Sequence, residues 1–258
     1  MKSIWNGTIS FGLVNVPIKV HSAIESKTVH FHEIHIADGA WIQHKRICSK
    51  ESKQVPYKDV VKGYEVKEDE YVVLSKEEVE AAAGTRSKII EIEDFVSADE
   101  IDPVFYDRTY YLGAHKEGCD AYRLLHDALE RAERVGIGRW VFHNREYLVA
   151  VRSLDGVLAL HTVRFADELV DVGNLDVSKP NRKPGKAEVK MAGTLVDALH
   201  ARFDPTKFED TYRDAVLDVI RRKAKGEEIE VPAPAAGDRA PDLMAALEAS
   251  LKSAKKAA

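Results

Sequence analysis

A succession of short strand-like segments between residues 8 and 165, each bounded by turn residues, constrains this chain more than any other feature. Over 8–20, Ile9, Phe11 and Leu13 fall on one face and Thr8, Ser10 and Gly12 on the other, which predicts a strand. Pro17 confines the second half of it to an edge or a bend. Further strands are expected at 29–36, 71–74, 89–96, 109–112, 139–143, 147–153 and 157–165. His143-Asn144-Arg145-Glu146 and Leu154-Asp155-Gly156 supply hairpin turns, the latter because Asp-Gly tolerates positive φ. Many short strands with turn signals point to a barrel or a curled sheet, so the expected fold class is mixed α/β and mainly β.

Helical periodicity interrupts and then follows the β region. Ser75…Glu78 forms a capping box that opens a helix stopped at Gly84. A stripe through Ala121, Leu124, Leu125, Ala128, Leu129 and Ala132 predicts an inserted helix over 119–134, closed by Gly136. Residues 188–203 and a segment capped by Thr206…Glu209 and closed by Gly226 predict two more, together a helical arm over 176–226. Residues 227–241, rich in Pro, Ala and Glu, form a linker. Beyond it, 242–258 is a short amphipathic helix with a small basic tail. Alone it is marginal, and it docks either on its own chain or on a partner. Residues 1–175 then make up the barrel core.

Charge is the strongest functional signal. The net charge is −5, yet residues 40–62 and 179–190 each carry a local +4, so the remainder is strongly acidic. Lys45, Arg46, Lys50, Lys53, Lys58 and Lys62 are spread among Trp41, Tyr57 and Tyr64 without a helical stripe. That pattern suits a loop or hairpin laid along a phosphate backbone, and on composition alone it equally suits a solvated polar loop. No G-x-S-x-G, Walker A or G-x-G-x-x-G motif is present, which removes the common nucleophile and nucleotide-loop chemistries. His30, His32 and His35 could serve a metal-dependent hydrolase, but they lack the helical H-E-x-x-H spacing, and ordinary strand histidines are the better reading. A peptide-binding barrel scaffold is a further alternative, which leaves the charged loop unexplained. With 45% hydrophobic residues the chain can bury a core, and no apolar run is long enough for a membrane span. The start carries no apolar leader, and Cys48 and Cys119 are too far apart for a C-x-x-C pair, so a cytoplasmic protein without a disulfide scaffold is expected.

The residues from Ser3 to Pro17 resemble the opening of the bacterial Ku family. In order after them come similar runs at 55–57, 61–65, 71–74, 101–106, 110–112, 160–168 and 203–205. The resemblance extends from Ser3 to about Gly226, and the segment from Asp242 to Lys256 is also similar to that family's C-terminal region. It implies a Ku-type β-barrel with a bridge at about 40–65 and an arm that dimerises, so that a homodimeric ring closes around duplex DNA. It further implies a non-enzymatic, nucleoid-associated protein of non-homologous end joining that uses no cofactor or metal. Such a protein holds DNA ends without reading sequence and recruits the ATP-dependent DNA ligase D.

On this resemblance the six bridge cations are the leading phosphate contacts, with Arg139, Arg145 and Arg164 behind them. Leu195, Leu199, Phe208, Tyr212 and Val216 are the candidate dimer interface, although the same stripes could cover the chain's own barrel. Leu243, Leu247, Leu251, Lys252, Lys255 and Lys256 are the candidate partner-binding residues. Where some relatives place a second cysteine three residues beyond Cys48, this chain has Glu51, which weighs against zinc.

Overall fold

The computed structural model describes residues 1–83, 88–143, 145–177, 182–229 and 243–257. Two compact units divide the chain: Met1–Ser26 with His32–Asn174, and Lys27–Phe31 with Leu175–Ala258. The first unit contains strands β1 (Trp5–Phe11), β2 (Val14–Ser22), β3 (Lys62–Lys67), β4 (Glu70–Leu74) and β5 (Ile89–Ser97). It continues with β6 (Tyr106–Ala114), β7 (Arg134–Phe142), β8 (Arg145–Leu154) and β9 (Val157–Val163). Helices α1 (Lys76–Ala83) and α2 (Cys119–Ala132) belong to the same unit. The second unit holds α3 (Lys186–Ala198), α4 (Thr211–Ala224) and α5 (Leu243–Ala257).

Seven strands close into a barrel in the order β1-β2-β6-β9-β8-β7-β5, while β3 and β4 pair only with each other. Every barrel pairing is antiparallel except the seam, where Thr8–Ser10 runs parallel to Ile89–Glu91. Inward positions follow the two-residue period: Val16, Ile18 and Val20 on β2, Val149 and Val151 on β8, Leu158 and Leu160 on β9. Trp140 sits at the centre with no exposed surface. Trp5 and Tyr110 meet it edge-on at 5.7 and 5.5 Å, and Phe142 stacks on it at 4.6 Å. Leu125 and Leu129 of α2 join the same cluster, so the inserted helix packs its apolar stripe onto the barrel.

Turn chemistry accounts for the connections. Asp155 (φ +48°) and Gly156 (φ +81°) are both left-handed, as a two-residue hairpin between right-twisted strands requires. Gly138 permits β7 to cross close to β5, because a Cβ there would lie 2.1 Å from the Glu91 carbonyl oxygen.

Several sequence expectations are corrected. Residues 8–20 form two strands rather than one, since Gly12 (φ +57°) turns the chain back between β1 and β2. Pro17 lies in β2 just before its ladder to β6, which begins at Ile18. Residues 29–36 form no strand. Their alternation has no buried face or neighbouring ladder to serve, and only Ile34 bridges Trp41. Helix α2 ends at a left-handed Glu133 (φ +51°), and Gly136 lies inside β7 against Ile92 and Phe95. Helix α3 stops at Ala198, short of Phe203. Asp210, not Thr206, caps α4, accepting from the Arg213 amide, while Asp204 caps a single 3₁₀ turn at Pro205–Lys207. The expected Gly84 stop, Asn144 turn residue, Lys179, most of the linker and the Asp242 cap lie outside the described residues.

Two polar clusters connect the barrel wall. The Tyr122 hydroxyl donates to the Leu112 carbonyl (2.6 Å) and accepts from the Leu158 amide (2.8 Å), tying α2 to the ends of β6 and β9. His161 is buried; its Nε2 accepts from Arg152 Nε (3.0 Å), so Nδ1 carries the proton and faces Thr109 Oγ1 (3.0 Å). Burial and the Arg152 charge push the His161 pKa down to about 4.

Tyr122→Phe is expected to cost about 1–3 kcal/mol by leaving one carbonyl and one amide unpaired, measured by chemical denaturation. His161 stays neutral in the fold and protonates at ordinary values once unfolded, so the unfolded chain binds more protons between about pH 6.5 and 4. Stability should therefore fall on acidification through that window, and His161→Gln should flatten the slope. An unchanged slope would remove His161 as its source.

Candidate nucleic-acid interface

Between β2 and α1 the chain leaves the barrel and builds a series of narrow hairpin loops. In the first, the His35 amide donates to the Ala40 carbonyl (2.8 Å) and the Ile42 amide to Glu33 (3.0 Å). In the second, Cys48 donates to Lys53 (2.9 Å) and Val55 to Arg46 (2.9 Å), with Ser52 left-handed in the turn. A 3₁₀ turn at Tyr57–Asp59 leads into the β3–β4 hairpin, every residue of which is exposed. A hairpin without a buried face is marginal in water, so this one owes its shape to its turns and lacks a covering layer.

The six bridge cations are distributed along these loops. Lys45 and Arg46 enter the second loop, Lys50 and Lys53 lie within it, Lys58 sits in the 3₁₀ turn and Lys62 opens β3. All six are exposed, and none has a carboxylate within ion-pair distance among the described residues. Arg46 lies 4.9 Å over the Tyr57 ring, a cation–π contact that holds one guanidinium in place.

The barrel arginines are placed otherwise. Arg139 is held between Glu93 and Glu146, both at 2.9 Å, and those carboxylates raise its pKa further. Arg145 pairs with Glu168 (2.6 Å) and covers the Tyr147 ring, and Arg164 pairs with Asp107 (3.4 Å). The second basic stretch is also partly compensated: Arg182 donates to the Glu188 carboxylate, whose pKa falls to about 2. Of the candidate phosphate contacts, those without a carboxylate partner among the described residues are therefore the bridge cations.

The histidines do not converge. His32 stacks on Trp41 at 4.6 Å, His35 Nδ1 contacts Asp38 (3.1 Å), and His44 contacts Glu33 (3.0 Å). Among the described residues, only His126, Asp127 and Glu130 have metal-ligand spacing. Both His126 nitrogens are already engaged, Nδ1 by Asp127 (2.9 Å) and Nε2 by Ser153 Oγ (3.0 Å), so the group acts as a clip from α2 to β8.

In the second unit α5 packs on α3. Leu247 and Leu251 are half-buried there and Lys252 is exposed; the side chains of Leu243, Lys255 and Lys256 lie outside the described part. Of the candidate dimer residues, Leu199, Phe208 and Tyr212 are exposed, whereas Leu195 and Val216 are half-buried.

One feature escaped the sequence reading. At the foot of the bridge, Tyr57, Lys58 and Lys62 meet Leu74, Lys76 and Val79 around a cavity of about 330 Å³. These residues come from the 3₁₀ turn, β3, β4 and α1, and no local spacing links them; the only sequence signal is the aromatic-basic pair Tyr57-Lys58.

The contrast in pairing gives a direct test on heparin, a generic polyanion. Lys45→Gln should elute at distinctly lower salt. Arg139→Gln should elute unchanged and lose at most about 1 kcal/mol of stability, the range for exposed ion pairs. Equal shifts for both would erase the distinction between bridge and barrel.

Comparison with known proteins agrees with the fold. The family described as the Ku70/Ku80 β-barrel domain matches residues 10–191. A protein of Anaeromyxobacter sp. named "Non-homologous end joining protein Ku" is 44% identical over 99% of this chain and 86% of its own length. Its namesake from Bacillus subtilis is 34% identical over 97% of this chain and 82% of its own, and "Non-homologous end joining protein Ku 1" of Geotalea uraniireducens is 37% identical over 99% and 98%. With a closed seven-stranded barrel, a cationic bridge between β2 and β5, and similarity along nearly its whole length, this chain belongs to the Ku family.

Proposed function

We propose that this protein acts in non-homologous end joining, the process its relatives are named for, by binding the ends of double-stranded DNA as a ring-shaped homodimer without catalysing a reaction. The observation that carries this reading is the set of six unpaired cations on an exposed bridge, Lys45, Arg46, Lys50, Lys53, Lys58 and Lys62. Phosphates are the ligand that such a set recognises, and backbone contacts alone give affinity without sequence preference. End selectivity follows from topology, since a closed ring admits duplex only at a free terminus. Arg145 and Arg164, each paired with one carboxylate, take a lesser part, and Arg139, held between Glu93 and Glu146, contributes no phosphate contact.

Dimerisation is supported by what the single chain leaves uncovered. Both faces of the β3–β4 hairpin are exposed, as are Leu199, Phe203, Phe208 and Tyr212 around α3 and α4. Apolar surface on this scale in one chain favours a second copy as its cover. The barrel core, the bridge, the dimerising arm over 176–226 and the C-terminal segment over 242–258 would then be separate working parts. Helix α5, through Leu243, Leu247, Leu251, Lys252, Lys255 and Lys256, is the proposed recruitment element for DNA ligase D. No helix among the described residues is long and apolar enough to cross a membrane. A nucleoid-associated role in the cytoplasm is part of the same proposal and follows from the DNA ligand.

Linear duplex should be bound tightly, and a covalently closed circle of the same sequence should barely compete; equal competition would refute threading. Replacing Lys45, Arg46 and Lys53 by Glu should weaken binding by roughly two orders of magnitude or more while the fold is retained. Sedimentation should show a dimer. Removing residues 241–258 should leave end binding intact and abolish stimulation of the ligase. Undiminished stimulation would place the partner site elsewhere.

A further inference from the structure

We infer that the cavity at the foot of the bridge is a pocket for a single unstacked nucleotide, and that the nucleotide it takes is an unpaired one at a DNA terminus. The inference rests on the end-binding reading and adds to it a site that duplex binding does not need. A cavity of about 330 Å³ is at the small end of the range for ligand pockets, suited to one nucleotide rather than two. Its apolar surface comes from Val60 and Val61, before β3, from Leu74 at the end of β4, and from Val79 on α1. Lys58, Lys62 and Lys76 border that surface, and Tyr57 completes the lining.

The combination is selective. A duplex phosphate backbone would be satisfied by exposed lysines and has nothing to place against a valine and leucine floor, because its bases are stacked away. A small inorganic anion would use the lysines and leave the apolar walls bare. An unstacked base with its own phosphate uses both: the ring lies against apolar and aromatic side chains while the phosphate meets the cations. Tyr57 is suited to this. Arg46 covers one face of its ring at 4.9 Å, and no other ring or guanidinium occupies the second face among the described residues. Lys58 and Lys62 have no ion-pair partner among the described residues and are available to a phosphate. The nearby Glu78 is engaged elsewhere, since its carboxylate accepts from the Ser75 amide (2.8 Å) in the capping box of α1, so it does not compete for those lysines.

A free nucleotide carries the same chemistry as an unpaired terminal one, and the experiment separates the two sources. The probe is a duplex carrying a single unpaired 2-aminopurine nucleotide at one 3′ terminus, compared with a blunt duplex in which the same base is paired. The unpaired probe should bind roughly tenfold more tightly than the blunt one, the gain expected of one base stacking on an aromatic side chain, with a saturable change in fluorescence. Val79→Phe, which fills the floor without changing charge, should abolish the preference and the fluorescence change while blunt-end affinity stays as it was. Val61→Trp is the second variant, for use should Val79→Phe disturb α1.

Equal affinity for both probes, or a preference that survives both variants, overturns the pocket while blunt-end binding remains. Loss of all DNA binding in the unmodified protein would instead overturn the end-binding reading itself. Displacement of the fluorescent end by millimolar dAMP supports a nucleotide pocket. Tight ATP binding that the unpaired DNA end cannot displace overturns the terminal source. Displacement by an acidic apolar peptide but not by dAMP overturns the nucleotide assignment.

Discussion

The parallel seam between β1 and β5 governs the layout of the first unit. Adjacent antiparallel strands can be joined by tight turns, but a parallel pairing needs a crossover. The chain makes β1 and β2 as a hairpin and returns to β1's other edge only at Ile89, and none of the described residues between Ser22 and Ile89 forms a strand of the barrel. The bridge is built in that excursion. It has no barrel ladder to join and no core of its own, and it is shaped by local turns, the narrow loops at 33–42 and 46–55 and the β3–β4 hairpin.

Charge balance then separates the parts. The net charge of −5 conceals an arrangement in which four carboxylates of the first unit, Glu93, Glu146, Glu168 and Asp107, meet arginines of that unit. The bridge cations have no such partners. An acidic body with a cationic excursion suits a protein that must hold a polyanion at one place and repel it elsewhere. The proposed phosphate contacts do not demand the precise packing that holds the aromatic cluster around Trp140, since affinity for phosphates tolerates imprecise geometry.

Much of this was legible in the sequence, for specific reasons. Strands β5 to β9 showed themselves as short apolar runs bounded by turn residues, β9 being buried at six successive positions, and Asp155-Gly156 marked its turn because few other dipeptides accept two positive φ angles. The clustering of Lys45 to Lys62 was visible as composition. What failed were features decided by tertiary context. The alternation at 29–36 resembles a strand but meets no partner, and the hairpin within 8–20 turns on Gly12, whose φ cannot be read from a pattern of apolar residues. The ion pairs of Arg139 with Glu93 and of Arg164 with Asp107 join residues far apart in sequence and have no local signal. The pocket around Tyr57 and Val79 was illegible, since four separate elements contribute to it.

On the proposed reading, phosphate contacts come from the bridge and act as additive single charges. The salt dependence of affinity for linear duplex measures this most directly, because each neutralised phosphate contributes close to one unit to the slope of log affinity against log salt. Changing Lys45, Lys50 and Lys53 to Gln one after another should reduce the slope by about one at each step, while Arg139→Gln should leave it where it was. A slope indifferent to the bridge substitutions, or one that falls with Arg139, would contradict the account.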